Sequence, residues 1–151
     1  MRYQPLPADL YIRNRKKLYK NLKPNSLVIL ESNDVLPTNA DGSMGFRQQN
    51  DVLYLTGIDQ EETIVVLYPD APVPEWREMV FVRETSDLIM VWEGKKLTKE
   101  EASAQSGIKN VKWISDFQGM LQPLMNQASH LYLFANEHPR AVVETETRNM
   151  R

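Results

Sequence analysis

The sequence predicts a single domain of the α/β or α+β class, and three features carry that prediction. The chain has 151 residues, within the rough span of one domain, ~100–200 residues. Its hydrophobic share of 42% and charged share of 25% are those of a globular protein, and such a chain can bury a sizeable core without covalent staples. Short, near-continuous apolar runs alternate with segments of helical spacing. Runs of that kind mark strands covered on both faces, and the covering elements must be helices.

The first helix is expected from about Ala8 to Leu22, where Lys23-Pro24-Asn25 stops it. Arg13, Arg15, Lys16, Lys17, Lys20 and Lys23 cluster in and just after it. Leu10, Tyr11, Leu18 and Leu22 interleave with them and supply an apolar side to dock, so the basic residues read as a solvated helix face rather than a nucleic-acid arm. The net charge of −2 offers no global attraction to nucleic acid either. Strands are expected at Leu27 to Leu30, Val52 to Leu55, Ile64 to Tyr68, Met79 to Val82 and Leu131 to Phe134. A shorter, alternating strand covers Val111 to Ile114, which makes about six in all.

A short helix is expected from Ser86 to Glu93, with Gly94 as its stop. The next opens on Thr98-Lys99-Glu100-Glu101, a capping box worth ~1 kcal/mol, and ends at Gly107. Between Ser115 and Ala128, residues Phe117, Met120, Leu121, Leu124 and Met125 hold helical spacing. Pro123 lies among them and would cost ~3 kcal/mol in a helix interior, so a kink or a start near Leu121 is expected. The connections Ile58 to Glu62 and Pro69 to Trp76 are too short for a parallel return, whereas the later strands are separated by helices. The sheet should therefore be mixed.

The sequence excludes several chemistries. With no cysteine, it has no disulfide, thiolate metal site or cysteine nucleophile, which suits a reducing cytoplasm. The two histidines, His130 and His138, stand at no recognised metal-ligand spacing, and Glu144 and Glu146 read as a solvated tail. There is no Gly-x-Ser-x-Gly elbow, and the six glycines are scattered rather than gathered into a phosphate loop. No apolar run approaches the ~20 residues that cross a bilayer, and the N-terminal MRYQPLPADL lacks the apolar core of an export signal.

Two polar constellations remain. One is Phe46-Arg47-Gln48-Gln49-Asn50-Asp51 running into Val52-Leu53-Tyr54-Leu55-Thr56-Gly57. Arg47 and Asp51, four apart, are expected to pair and fix the loop before a buried strand. The other is Trp92-Glu93-Gly94-Lys95-Lys96. Trp92 reads either as the last core residue of the short helix or as an aromatic presented to a partner, since interfaces favour tryptophan anchors.

In this order, the two constellations resemble the N-terminal domain of aminopeptidase P, the Xaa-Pro aminopeptidases of the creatinase/prolidase group. The matching positions are Phe46, Arg47, Gln48, Asp51, Tyr54 and Gly57, then Ile58 and Glu61 or Glu62, then Asp87 and Trp92 to Lys96. The resemblance implies a ribonuclease-H-like α/β domain spanning residues 1–151, with the pita-bread catalytic domain and its paired divalent metal, usually manganese, outside this chain. It implies no catalytic or metal-binding residue here. It also implies a homo-oligomer, contact with the chain's own C-terminal catalytic domain, and a wall beside the entrance for a proline-containing peptide, with Trp92, Lys95 and Lys96 as the candidates. The alternative is a non-catalytic peptide- or protein-binding module with a peptidase-like fold, as in the FACT histone chaperone.

Overall fold

A computed structural model describes residues 6–40, 42–86 and 94–134. Five strands form one mixed sheet: β1 (Ser26–Glu31), β2 (Ile64–Leu67), β3 (Glu78–Val82), β4 (Asn110–Trp113) and β5 (His130–Leu133), in the order β4-β3-β2-β1-β5. β2 pairs antiparallel with β1 and β3, while β4 joins β3 and β5 joins β1 in parallel. Four strands thus run one way and β2 runs against them, a mixed sheet in which the short Pro69 to Trp76 connection joins an antiparallel pair as expected.

Helices α1 (Ala8–Tyr19), α2 (Asn50–Thr56) and α3 (Lys99–Ser106) cover one face. There Val28, Leu30, Val65, Leu67, Val80 and Val82 pack with Val52, Leu55, Ile58, Ala102 and Ile108. The other face carries α4 (Phe117–Gln127), whose Leu124 is buried with Leu27, Ile29, Val66, Met79 and Phe81. Phe81 and Phe117 meet edge to face at 5.3 Å between ring centroids. The capping box on α3 forms as expected, with Thr98 Oγ1 accepting from Glu101 N–H and Glu101 Oε2 accepting from Thr98 N–H.

Four expectations need correction. Val52 to Leu55 is not a strand but the body of α2. Gln49 Oε1 accepts from Val52 N–H at 2.8 Å to cap its start, and Gly57 closes its end at φ 72°. The buried residues Val52, Leu55 and Thr56 lie at i, i+3 and i+4, a helical stripe that a run of four apolar letters conceals. The sheet accordingly has five strands. Second, α4 starts at Phe117 rather than near Leu121 and includes Pro123 in its interior. Pro123 and Gly119 are both exposed, so the Gly119 carbonyl left without its helical donor faces water instead of the core. Third, α1 ends at Tyr19, about a turn before Leu22. The short helix expected over Ser86 to Glu93 falls on 87–93, outside the described residues.

The fourth correction concerns Arg15, which lies not on a solvated face but at zero exposure in the core. Its Nη1 donates to Leu55 O at 2.8 Å and to Ser106 O at 2.9 Å, and its Nη2 reaches Glu78 Oε2 at 3.1 Å. Asn14, next to it, donates to Tyr54 O at 2.8 Å. One guanidinium therefore closes the C-terminal ends of α2 and α3 and ties both to β3. Carbonyls at helix C-termini carry partial negative charge, so a cation is the favourable partner there. Tyr19 donates to the other oxygen of Glu78. Burial, followed by that carboxylate, pushes its phenol far above the usual range.

Arg15→Met should lower stability by roughly 3–5 kcal/mol, because it leaves the half-buried Glu78 carboxylate without its cation and the Leu55 and Ser106 carbonyls without a donor. Arg15→Lys should recover less than about half of that loss, since one ammonium cannot reproduce a planar fork of donors. Urea midpoints at neutral pH test both. A Met variant within about 0.5 kcal/mol of the parent would remove Arg15 from this role.

Candidate functional site

The four co-directional strands end on the side of the sheet where β2 begins, and the two polar constellations gather there. Glu31, the last residue of β1, pairs with Ile64, the first of β2. The loop 58–63 leads into β2 at that end. Ligand sites in open α/β sheets lie characteristically at the carboxyl ends of the strands. His130, by contrast, sits beside Ser26 where β1 begins, with its Nδ1 3.1 Å from Pro24 O, at the opposite end of the sheet.

Gln48 is the buried centre of the first constellation. Its Nε2 donates to Ile58 O at 3.1 Å and to Gln60 O at 2.8 Å, while its Oε1 accepts from Gln49 N–H at 2.7 Å. Phe46 is half-buried and Arg47 is exposed, and the Arg47 carbonyl accepts from Asn33 Nδ2 at 3.0 Å. Asp51 accepts from Gln49 Nε2 at 3.2 Å. Among the described residues no salt bridge joins Arg47 to Asp51, so the expected ion pair is replaced by amide clasps from Gln48 and Gln49. Tyr54 is 52% exposed on the outer side of α2.

Gly57 is held against the ring of Tyr11 so closely that a Cβ there would overlap it. The end of α2 is also repeated elsewhere. In Thr56-Gly57-Ile58, Thr56 Oγ1 donates to Val52 O at 2.7 Å and accepts from Ile58 N–H at 3.1 Å. In Ser106-Gly107-Ile108, Ser106 Oγ donates to Ala102 O at 2.7 Å and accepts from Ile108 N–H at 3.1 Å. Both glycines are left-handed, at φ 72° and 74°. The same hydroxyl–glycine–isoleucine trio thus closes both helices.

The second constellation joins the first through Gln60 and Glu61. Gln60 Oε1 accepts from Leu97 N–H at 2.8 Å, and Lys96 Nζ pairs with Glu61 Oε1 where both side chains are largely buried. Burial raises the Glu61 carboxyl, but the Lys96 hydrogen bond and further interactions outweigh it, so its pKa is lowered. Lys95 remains mostly exposed and pairs with Glu101 at 2.7 Å. That hydrogen bond, followed by the Thr98 N–H, lowers the Glu101 carboxyl. Trp92 lies outside the described residues. Gln48, Gln60, Glu61 and Lys96 thus form one polar clamp across positions far apart in sequence. Sequence reading missed Gln60 and Arg15, because neither stands in a local pattern that announces a distant partner.

The clamp contains no nucleophile with an adjacent base. Among the described residues no group of three or more His, Cys, Asp or Glu could hold a metal ion. The paired metal implied by the resemblance finds no donor set among the described residues. No described helix is long and apolar enough to cross a membrane.

The architecture is a mixed α/β domain with its polar clamp at the carboxyl ends of co-directional strands. A family profile for "Aminopeptidase P, N-terminal domain" matches residues 11–134, and the chain belongs to that family. It is 26% identical over 127 residues to a Xaa-Pro aminopeptidase of Haemophilus influenzae, a match covering 84% of this chain and 29% of that protein. It is 30% identical over 122 residues to the mitochondrial intermediate cleaving peptidase 55 of Arabidopsis thaliana, covering 81% of this chain and 24% of that one. Among solved structures, an aminopeptidase P from Bacillus anthracis superposes with a TM-score of 0.83 at 27% identity, covering 94% of this chain and 34% of its own. Pseudomonas aeruginosa aminopeptidase PepP gives 0.80 at 27% identity, covering 89% and 30%. The chain spans about a third or less of the length of each.

Two measurements test the clamp and the cap. Gly57→Ala should lose more stability than Gly94→Ala, which shares a left-handed φ (81°) but meets no atom of the described residues within 4 Å. Strain alone accounts for ~1 kcal/mol at each site, and the collision with Tyr11 adds to it only at Gly57. Equal losses in urea would show that Tyr11 yields freely. For the pair, a lowered carboxyl contributes stability above its unfolded range and loses it as pH falls through the folded pKa. The penalty of Glu61→Gln should therefore be present at neutral pH and fade below the ordinary glutamate value of 4.5. A penalty that persists unchanged in acid would mean the Glu61–Lys96 pair is not its source.

Proposed function

We propose that this chain is the non-catalytic N-terminal domain of a Xaa-Pro aminopeptidase, with peptide chemistry carried by a manganese-dependent catalytic domain that follows it. One observation carries the reading: the family match occupies residues 11–134, while the relatives extend to three or four times this length. The described chain also leaves β5 at Phe134, on the same end of the sheet as the polar clamp, because β5 runs parallel to β1. A domain continuing from there starts beside the loops that carry the family signature.

The domain's task in this reading is to assemble the oligomer and to wall one side of the entrance for a proline-containing peptide, in the cytoplasm. Trp92 supplies an aromatic face for an apolar residue or proline, and the exposed Lys95 stands near it in sequence. Lys96 has a different part: its ammonium is spent on Glu61, so it anchors the segment that carries Trp92. Phe46, Arg47, Gln48, Asp51, Tyr54 and Gly57 serve as structural signature and clasp.

Two experiments test the proposal. The isolated chain with manganese should not release the first residue of a Xaa-Pro peptide; turnover above a mock-purified control would overturn the division of labour. In the complete enzyme, Trp92→Ala should change peptide kinetics or oligomeric state, with kcat/KM reduced about tenfold for the loss of one apolar contact surface. Unchanged kinetics and assembly would remove Trp92 from the entrance.

A further inference from the structure

The outer side of α1 carries a stripe of positive charge. Arg13, Lys16, Lys17 and Lys20 recur at i, i+3, i+4 and i+7 and all are exposed, and Lys23 follows just past the helix. Tyr11, Asn14 and Arg15 take the opposite, buried side. No described carboxylate forms a salt bridge with any of the five cations. Like charges three and four apart on a helix repel, so the stripe is unfavourable to α1 itself. The whole chain carries a net charge of −2, so everything outside the stripe is more acidic still, by five charges. The stripe is a local basic patch on an acidic protein.

We infer that this stripe docks an acidic helix of a partner protein, one whose carboxylates recur at the same i, i+3, i+4, i+7 spacing. Charge complementarity carries the inference, and three features select a protein helix over other polyanions. The stripe is short: Arg13 to Lys20 spans ~10 Å of helix, so a nucleic acid would run past it onto the acidic remainder. Four of the five cations are lysines, without the planar fork suited to bidentate phosphate contact, and no exposed aromatic within residues 13–23 offers a base a stacking partner. An anionic membrane would be gripped by charge alone, because Leu18 and Leu22 are packed against the core and no exposed apolar side chain lies among the cations. A second helix, by contrast, presents its charges at the stripe's own period and length. Arg15 reaches Glu78, where β3 begins, so the stripe lies toward the end of the sheet opposite the polar clamp, and its occupant leaves the clamp free.

The probe is a labelled alanine-based peptide of about 18 residues, long enough to hold a helix, with four glutamates at i, i+3, i+4 and i+7. Its fluorescence anisotropy is titrated with the full 151-residue chain. Binding should saturate and weaken at least about tenfold from ~0.01 to ~0.1 M salt, as the Debye length shortens from ~30 to ~10 Å. A peptide of the same composition with its glutamates spread evenly round the helix should bind at least about threefold more weakly. Lys16→Glu with Lys20→Glu should cost about tenfold or more, since each exposed pair is worth up to about fivefold and each reversed charge repels. The urea midpoint of Lys16→Glu alone should hold or rise, because its new charge faces Arg13 and Lys20 at i−3 and i+4. A clear fall in that midpoint would make the lysine a structural prop and overturn the inference. Absence of saturable binding, or equal binding of the two peptides, would overturn it as well. Tighter retention of a single-stranded oligonucleotide or of phosphatidylserine vesicles at the same salt would replace the acidic helix with nucleic acid or membrane.

Discussion

A single buried cation organises one side of this domain. Arg15 reaches the final turns of α2 and α3 and the first residue of β3, elements separated by as many as 91 positions from it. Burying a guanidinium is unfavourable unless its donors are met. Here two helix ends and a carboxylate meet its two Nη groups, while its buried Nε has no partner among the described residues. The arrangement is mutual: neither helix end can move without stranding a charge, and the charge has no other acceptor set to turn to. Packing of α1 on the sheet, often a matter of apolar contact alone, is thereby given a unique register.

That register explains why the helix ends look alike. Thr56-Gly57-Ile58 and Ser106-Gly107-Ile108 build the same turn with the same three hydrogen bonds, and each presents its glycine to α1. Gly57 meets Tyr11, and Gly107 meets Ile12 and Ala8. A left-handed glycine stops a helix without a side chain in the way, so the backbone carbonyls just before it lie open to Arg15. Cap chemistry and the buried arginine are two halves of one device.

The polar clamp at the other end of the sheet works by a milder version of the same logic. Gln48 satisfies the Ile58 and Gln60 carbonyls and Gln60 the Leu97 N–H, groups that burial would otherwise leave without partners. The clamp also settles the roles of the two adjacent lysines. Lys96 is taken up by a largely buried carboxylate, whereas Lys95 pairs with Glu101 in solvent, where such a pair is worth little. Residues that look equivalent as letters differ here by their distance from loop 58–63.

Local patterns determined most of the elements. Five strand positions, the capping box at Thr98, the stop at Gly107, the mixed pairing inferred from connection lengths, and the family signature were all legible in the sequence, because each depends on neighbours within a few positions. Three things were decided only in three dimensions. Val52 to Leu55 is a helix, since four apolar letters suit either structure and the choice fell to the Gln49 cap and to α1. Arg15 is buried, since its value as a charge depends on carbonyls 40 and 91 residues away. Gln60 links the two signature stretches, since an amide side chain carries no mark of the backbone it will meet. Periodicity reports which side of a segment is apolar; it cannot report which distant polar group will make burial of a charge or an amide favourable.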